Sequence, residues 1–211
     1  MWSSTSDRAI TARRIIGRIA VPFGVILGSL LSQCFGQEVS LDGVARLTWT
    51  DGKESVEWSG VAISEDRVLT CEHHDKTGDV RIEFAAKGKA RVSVPGRIIK
   101  VNDSMDLSLI SYEAPSWASV RFYGIDDIKA DGEIRGYLRG SAVVSRAVRG
   151  REGITFGGRS MVEVLAVTES GMSGSPLLIE GSVCGILLGG AEDGVSHCVS
   201  PATIRDFLKG E

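Results

Sequence analysis

The sequence has little of several features that mark specialised protein classes. Its 211 residues include 5 prolines and 4 cysteines, and only 6% of them are aromatic. It has no heptad pattern, no internal repeat of solenoid length and no low-complexity tract, so a coiled coil and a repeat array are excluded. The formal net charge is −3. Because general nucleic-acid binding needs a basic surface, we expect no nucleic-acid partner.

The features that are abundant indicate a β protein. Hydrophobic residues make up 43% of the chain, which is ample for a packed core in one or two domains. The 26 glycines and many short apolar runs favour strands with tight turns over long helices. The pattern predicts six short strands over residues 40–111, further short strands over residues 120–199 and a helix over residues 201–208. Residues 95–96 and 149–150 contain glycine and are expected to interrupt strands.

The first 36 residues are typical of an export signal. Residues 19–31 are largely apolar but too short to span a bilayer comfortably, and a basic region precedes them, formed by Arg8, Arg13, Arg14 and Arg18. We expect cleavage near residues 36–37 and a secreted, periplasmic or cell-envelope location. Membrane association is expected only if this segment stays uncleaved or is lipidated at Cys34.

Residues 171–176 have the sequence Gly-Met-Ser-Gly-Ser-Pro, which predicts a tightly curled loop around a serine. Glycines on both sides let the backbone curl and let a substrate come close. In such a curl the amides of Gly171 and Ser173 can point at one place, where the charge of an oxyanion would develop. A plain surface turn is the alternative for so short a motif. Ser170 and Ser175 are weaker candidates, because neither lies between two glycines.

A histidine follows a predicted β-hairpin in the first half of the chain. Apolar residues 60–63 and 68–70 flank a short polar turn, so the second strand delivers His73 at its end. His74 is the alternative. Because adjacent strand residues face opposite sides of a sheet, only one of the two histidines can face a shared site.

Asp106 is predicted to head a strand that runs to residue 111, where its carboxylate could be buried. Its rival Asp103 lies in a turn, where aspartates usually bond their own backbone. His73, Asp106 and Ser173 are the set that nucleophilic serine catalysis needs. The serine hydroxyl requires an adjacent base. The histidine takes its proton, while a buried aspartate orients the imidazole and stabilises its charged form.

At these motifs the chain resembles the trypsin-like serine peptidases, and among them the bacterial glutamyl endopeptidases and the HtrA-type protease domain. The similarity spans roughly residues 38–209 and is carried by residues 59–63, 68–73, 106–110, 171–176, 183–190 and 199–208. The resemblance implies an all-β fold of two six-stranded antiparallel Greek-key β-barrels with a short C-terminal helix. Residues 37–115 would form the barrel with His73 and Asp106, and residues 116–211 the barrel with Ser173. It also implies a polypeptide substrate and no cofactor.

By the same resemblance, the wall of the primary substrate pocket includes Thr168, Leu187 and Gly189. Glutamyl endopeptidases carry a histidine at the position of Leu187, and leucine cannot donate a hydrogen bond to a carboxylate. We therefore expect no preference for Glu or Asp before the scissile bond. No acidic residue stands at Val167 or Thr168, so a basic preference is not expected either. A small or medium apolar side chain is the remaining expectation.

Met172 departs from the family pattern. In members activated by N-terminal cleavage, the residue before the serine is an aspartate that pairs with the new amine, and methionine cannot form this pair. The resemblance therefore implies no activation of that kind. We expect the loop around the serine to hold its shape by packing instead.

The cysteines are interpreted mainly as small buried hydrophobic residues. If the resemblance holds, Cys184 and Cys198 lie on neighbouring antiparallel strands and could instead form a disulfide in an oxidising compartment. Cys71 lies beside Glu72 and two histidines. Since adjacent strand side chains diverge and no second cluster follows, we expect no metal site there.

The function that competes with a serine endopeptidase is a catalytically inactive trypsin-like domain that acts as a protein-binding module. Glu72 beside the base and Met172 beside the nucleophile are departures that favour this alternative. The same cleft would then bind a polypeptide without cleaving it. We expect the enzyme.

Overall fold

The structure is a computed structural model, and it describes residues 39–72, 76–86, 91–156, 159–190 and 193–210. The predicted export segment, residues 1–36, lies outside the described residues, and so do His73 and His74. Within the described ranges, no helix combines the length and the apolar character that crossing a bilayer would demand.

The described residues form thirteen strands and one short helix. The strands of the first half are β1 (Val39–Thr50), β2 (Ser55–Ser64), β3 (Arg67–Thr70), β4 (Asp79–Ala86), β5 (Val92–Asn102) and β6 (Leu107–Tyr112). Those that follow are β7 (Ala118–Val120), β8 (Gly132–Leu138), β9 (Ser141–Phe156), β10 (Arg159–Leu165), β11 (Pro176–Ile179), β12 (Ser182–Gly190) and β13 (Val195–Val199). Helix α1 (Pro201–Phe207) comes last.

Both halves of the chain close into barrels with the same strand order. In the first barrel the order is β2-β3-β6-β5-β4-β1, and pairing of β1 with β2 closes it, while β7 adds in parallel to β1. In the second the closed order is β10-β13-β12-β11-β8-β9. If each half is numbered from its own first strand, both barrels follow the order 1-2-3-6-5-4. The expected fold class, two six-stranded antiparallel Greek-key barrels with a short C-terminal helix, is confirmed.

The alternation of apolar residues along the strands explains why these segments pair. In β4 every second side chain faces the core: Val80, Ile82, Phe84 and Ala86. One apolar cluster fills the first barrel and continues across the seam to one side of the second barrel and to α1, and another fills the second barrel. The seam between the barrels is therefore a packed interface, which gives a site built across it a rigid support.

Helix α1 closes the chain as the sequence predicted. Ser200 caps it by accepting a hydrogen bond from the amide of Thr203 at 3.2 Å, an interaction worth about 1 kcal/mol. Pro201 fits the first turn, where no amide donor is needed. At the other end, Lys100 of β5 donates to the carbonyl of Phe207 at 2.7 Å. The helix thereby ties the end of the second barrel to the first.

Two predicted strand breaks are wrong. Strand β5 runs through Pro95. On one side Pro95 pairs with Arg81 of β4, and on the other side it has no partner among the described strands, because the pairing of β5 with β6 begins only at Gly96. A proline is tolerated there because one edge of the strand has no neighbour. Strand β9 runs through Gly150, and shifts in its register with β10 absorb the irregular residues as bulges.

Candidate active site

The buried carboxylate of Asp106 lies against the end of β3. The amide of Glu72 donates to Oδ1 of Asp106 at 2.9 Å, and Asp106 is only 3% exposed. The register of β3 with β6 produces this contact, since Thr70 pairs with Ser108. His73 is the residue after Glu72 in the sequence, but it lies outside the described residues, so the structure does not place its imidazole.

Asp106 lies in a loop, and the expectation that it heads a strand needs correction. Strand β6 begins one residue later, and Asp106 has a φ of 55°, in the left-handed region that aspartate tolerates better than most residues. The loop is held by its own bonds. The amide of Met105 donates to Asn102 Oδ1 at 3.0 Å, and that of Asp106 donates to the Asp103 carbonyl at 3.3 Å. Of the two rival aspartates, Asp106 is buried and Asp103 is exposed.

Oδ2 of Asp106 accepts a hydrogen bond from an arginine that sequence reasoning missed. Nη1 of Arg159, at the start of β10 in the second barrel, lies 3.1 Å from it. These residues are 53 positions apart, and no motif in the sequence points from one to the other. Only the docking of the two barrels brings them together.

The segment around the candidate nucleophile consists of two consecutive tight turns. The amide of Met172 donates to the Glu169 carbonyl at 3.1 Å, with Gly171 at the third position of that turn and a φ of 103°. The amide of Ser175 donates to the Met172 carbonyl at 3.1 Å, with Gly174 at the third position and a φ of 80°. Type II turns need a positive φ at the third position, which explains the two glycines of the motif.

Ser173 is the second residue of the second turn and is half-buried. Its carbonyl accepts a hydrogen bond from the amide of Ser59 in β2 at 2.9 Å, and its hydroxyl donates to the Leu188 carbonyl at 3.0 Å. Within the described ranges, the amides of Gly171 and Ser173 donate to no acceptor. As far as the described residues go, these two N–H groups are the available amides of the loop.

The neighbouring serines have different surroundings. The hydroxyl of Ser175 donates to the Met172 carbonyl at 2.6 Å, and Ser175 is fully buried. Ser170 is exposed. Ser173 is thus the one serine of the segment that is partly accessible and whose own amide, like that of Gly171, has no acceptor among the described residues.

The serine loop contacts the first barrel at the end of β3. A β-carbon at Gly174 would lie 2.0 Å from the Ser59 carbonyl oxygen and 2.3 Å from the Thr70 hydroxyl, so only glycine fits there. Thr70 donates to the same Ser59 carbonyl at 2.5 Å. The hydroxyl of Ser59 accepts from the amide of Tyr137 in β8 at 2.8 Å. Ser59 and Thr70 thus anchor the loop, although the sequence offers no signal for the role of Ser59.

Met172 holds the loop from the inside of the second barrel. Its side chain is 1% exposed and belongs to the apolar cluster of that barrel, with Ile134, Leu177 and Leu187. The expectation that the loop is held by packing is confirmed. Leu187 also holds it through the backbone, since its carbonyl accepts from Gly174 and its amide donates to Ser175, both at 2.8 Å.

The three residues expected to line a substrate pocket differ in exposure. Leu187 is buried among apolar side chains, and Gly189 is exposed and pairs with His197 across β12 and β13. Thr168 is half-buried, and its hydroxyl is 2.8 Å from that of Ser196. A β-carbon at Gly190 would lie 2.2 Å from the Thr168 hydroxyl, so these two residues are in close contact.

The three cysteines that the structure describes are free thiols, and all are buried. Cys198 pairs with Leu187 across the strands, and no disulfide joins it to Cys184. Burial raises the pKa of the Cys71 thiol well above its ordinary value, and the nearby charge of Asp106 raises it further. Cys71 is therefore a neutral thiol beside the carboxylate. Over the described residues, no group of three or more His, Cys, Asp or Glu could hold a metal ion.

No protein-family model matches the sequence, and no curated protein matches it either. Solved structures share its fold. The active form of the Rv3671c protease from M. tuberculosis is 19% identical, with a TM-score of 0.59 over 96% of this chain and 93% of that one. Deg5 is 15% identical, with a TM-score of 0.62 over 88% of this chain and 94% of that one. The HtrA-type protease AlgW, solved with a tripeptide, is 17% identical, with a TM-score of 0.65 over 78% of this chain and 58% of that one. The chain has the fold of the trypsin-like, HtrA-type serine proteases, as its motifs predicted.

Proposed function

We propose that this chain is an exported serine endopeptidase. Ser173 attacks the scissile carbonyl and forms an acyl-enzyme, which water then hydrolyses. His73 takes the serine proton as general base and returns it to the leaving amine, and Asp106 orients the imidazole and stabilises its charged form. The substrate is a polypeptide, and the reaction needs no cofactor because these side chains supply the nucleophile, the base and the acid.

One observation carries the proposal: the serine loop and the buried carboxylate both contact the segment that leads directly into His73. Gly174, next to the serine, contacts Thr70, and Asp106 binds the amide of Glu72. The segment from Thr70 to Glu72 therefore connects the acid of the first barrel with the serine of the second. His73 follows Glu72 directly in the sequence, and this is why we propose it as the base between the acid and the serine.

The two available amides support the proposal because they can stabilise the oxyanion that forms when the serine attacks. The amide of Ser173 itself and that of Gly171, two residues earlier, have no acceptor among the described residues. Donors held in place by the surrounding turns can stabilise a developing oxyanion without reorganising, an effect worth roughly 3–4 kcal/mol per donor in comparable sites. We assign these amides as the oxyanion hole.

In this proposal each half of the chain supplies part of the active site. Residues 37–115 supply His73 and Asp106, and residues 116–211 supply Ser173 and the pocket residues Thr168, Leu187 and Gly189. Residues 1–36 act as the export segment and direct the enzyme to the exterior, the periplasm or the cell envelope. Membrane attachment follows only if this segment is retained or lipidated.

A fluorophosphonate probe tests the proposal on protein that begins at residue 37. We expect the probe to label the native protein and to lose its target in Ser173→Ala, because the probe reacts only with an activated serine. Ser170→Ala is the matched control, since Ser170 is an exposed serine three residues away in the same loop. Labelling should persist in that control and fall sharply in His73→Ala.

A protein-binding module is the second candidate, and one contact favours it. The Ser173 hydroxyl donates to the Leu188 carbonyl at 3.0 Å, so in this conformation its proton points at the backbone. A domain that stays in this state would bind a polypeptide without cleaving it. Native protein that binds unstructured peptides but resists the probe at every pH would establish the module and overturn the peptidase.

A further inference from the structure

Arg159 directs all three guanidinium nitrogens at one loop of the opposite barrel. Nε donates to the Ser104 carbonyl at 3.0 Å, Nη2 to the Asp103 carbonyl at 2.6 Å and Nη1 to Oδ2 of Asp106 at 3.1 Å. Only the planar fork of an arginine can make such a set of bonds, because a lysine carries a single nitrogen. Arg159 therefore clamps the loop that carries the candidate catalytic acid.

We propose that Arg159 is a positioning residue of the catalytic group, which fixes the Asp106 carboxylate and reduces the negative charge that it presents to the base. This inference rests on the proposed function for the identity of the base. Arg159 itself touches neither the substrate nor the reacting atoms in this scheme. It acts through Asp106.

The positioning part follows from the backbone of the loop. Asp106 has a φ of 55°, a conformation that costs free energy for a residue with a side chain and persists only where the surroundings hold it. Its carboxylate is fixed at Oδ1 by the amide of Glu72 and at Oδ2 by Arg159. With both oxygens bound, the carboxylate cannot rotate. Because Arg159 belongs to the second barrel, the clamp also fixes the acid relative to Ser173.

The electrostatic part follows from the groups around the carboxylate. From the segment after β3, the Cys71 thiol lies close to it and is neutral, because burial and the charge of Asp106 raise its pKa, and the charge of Glu72 acts on the same thiol. On its own loop Asp103 is exposed to solvent. From β10, Arg159 brings the one positive charge among these groups. A cation beside the carboxylate weakens its stabilisation of an imidazolium, so the base stays neutral to lower pH.

The test compares Arg159→Ala and Arg159→Lys with the unaltered protein, all beginning at residue 37. Arg151→Ala is the matched control, because Arg151 is an arginine of the same barrel that pairs with Glu163 instead. Two properties are measured: the pH profiles of kcat and kcat/KM on an unstructured peptide, and the titration midpoints of the three histidines by NMR. The histidine signals are assigned with His74→Gln and His197→Gln.

In Arg159→Ala we expect kcat to fall by tenfold or more, and the acid limb of kcat/KM to move to higher pH by about one unit. The titration midpoint of one histidine should move by the same amount. In Arg159→Lys the acid limb should lie close to its position in the unaltered protein, because lysine supplies the positive charge. The kcat should stay low, because lysine lacks the planar guanidinium that binds the loop at three places. Arg151→Ala should change neither kcat nor the acid limb of kcat/KM, and any NMR change should be confined to His197, the cross-strand neighbour of Glu163.

A purely structural role for Arg159 would give a different result. The melting temperature of Arg159→Ala would fall, while the acid limb and all three histidine midpoints stayed in place, and that result would overturn the proposal. The NMR titration separates this failure from failure of the proposed function, because it needs no turnover. If the probe never labels the protein but Arg159→Ala still moves the titration midpoint of one histidine, the peptidase function is wrong and the positioning role of Arg159 stands.

Discussion

Gly174 of the second barrel lies directly against Thr70 of the first, so closely that a β-carbon on the glycine would stand 2.3 Å from the threonine hydroxyl. The same β-carbon would stand 2.0 Å from the Ser59 carbonyl oxygen. Gly174 is therefore needed for two reasons, the positive φ of its turn and this close approach. The contact sets the distance between the serine loop and the strand end that leads to His73.

We expect Gly174→Ala to lower the free energy of unfolding by about 3 kcal/mol, because it combines backbone strain with a clash against main-chain atoms that cannot move aside. The displaced loop should also lower the rate of probe labelling about 100-fold, since a shift of about 1 Å in a reacting group has effects of that size. Urea unfolding and labelling kinetics measure the two quantities.

Gly52→Ala is the control for this prediction. Gly52 has a φ of 88°, but a β-carbon there would meet nothing within 4 Å. It should therefore show the cost of the backbone conformation alone, about 1 kcal/mol, with labelling unchanged. If the two alanine variants lost equal stability, the close approach of the two barrels at Gly174 would contribute nothing.

The strands and the last helix could be predicted because their signals were local, whereas the arrangement into two barrels was implied by the resemblance of the motifs. The alternation of apolar residues along β4 and the capping of α1 by Ser200 need only neighbouring residues, and the glycines of the serine motif mark two turns that form within seven residues. The two predicted strand breaks were wrong because a local signal was not sufficient there. A glycine or proline pair indicates a turn only when no neighbouring strand accommodates it, and that depends on distant partners.

The site could be predicted only in part. The motifs predicted His73, Asp106 and Ser173 as site residues, but they indicated no role for Arg159 or Ser59, because the contacts of both cross the seam between the barrels. Asp106 was expected in a strand, yet the adjoining turn from Asn102 holds it in a left-handed conformation. Residues that position a site from another barrel leave no pattern in the local sequence.

Met172 provides a test of how the serine loop is held. It is buried among apolar side chains, so Met172→Leu, which conserves volume and polarity, should change the free energy of unfolding by less than about 1.5 kcal/mol. Met172→Asp places an unpaired carboxylate in the same cluster and should cost more than about 3 kcal/mol. Thermal unfolding and probe labelling of both variants measure this. A Met172→Asp protein as stable as the unaltered one would mean that the carboxylate has found a cationic partner.

The thiols should be inert in the native protein. Burial raises the pKa of Cys198 to about 12 and that of Cys184 to about 11, and it raises the pKa of Cys71 as well. The thiolate is the reactive form, so protein that begins at residue 37 should resist iodoacetamide at pH 8. After unfolding in urea, all three thiols should react, as mass spectrometry would show. Rapid alkylation of Cys71 in the native state would contradict its burial beside Asp106.

The contact between Thr168 and Gly190 predicts a small primary pocket. The Thr168 hydroxyl approaches Gly190 closely and is held there by Ser196, whose own hydroxyl donates to the Ala166 carbonyl at 3.0 Å. If these residues line the pocket, as the resemblance implies, little room remains for a large side chain. We expect kcat/KM to be higher for peptides with alanine before the scissile bond than for those with leucine.

Thr168→Ala should raise kcat/KM for the leucine peptide relative to the alanine peptide about tenfold, since a methylene-sized change in an apolar pocket has effects of that order. Gly190→Ala should lower activity on both peptides, because the added methyl group competes with the Thr168 hydroxyl for the same space. Thr50→Ala, which removes an exposed hydroxyl in the first barrel, should leave the ratio unchanged. Preferred cleavage after Glu, Lys or Arg, or an unaltered ratio in Thr168→Ala, would show that Thr168 does not shape the pocket.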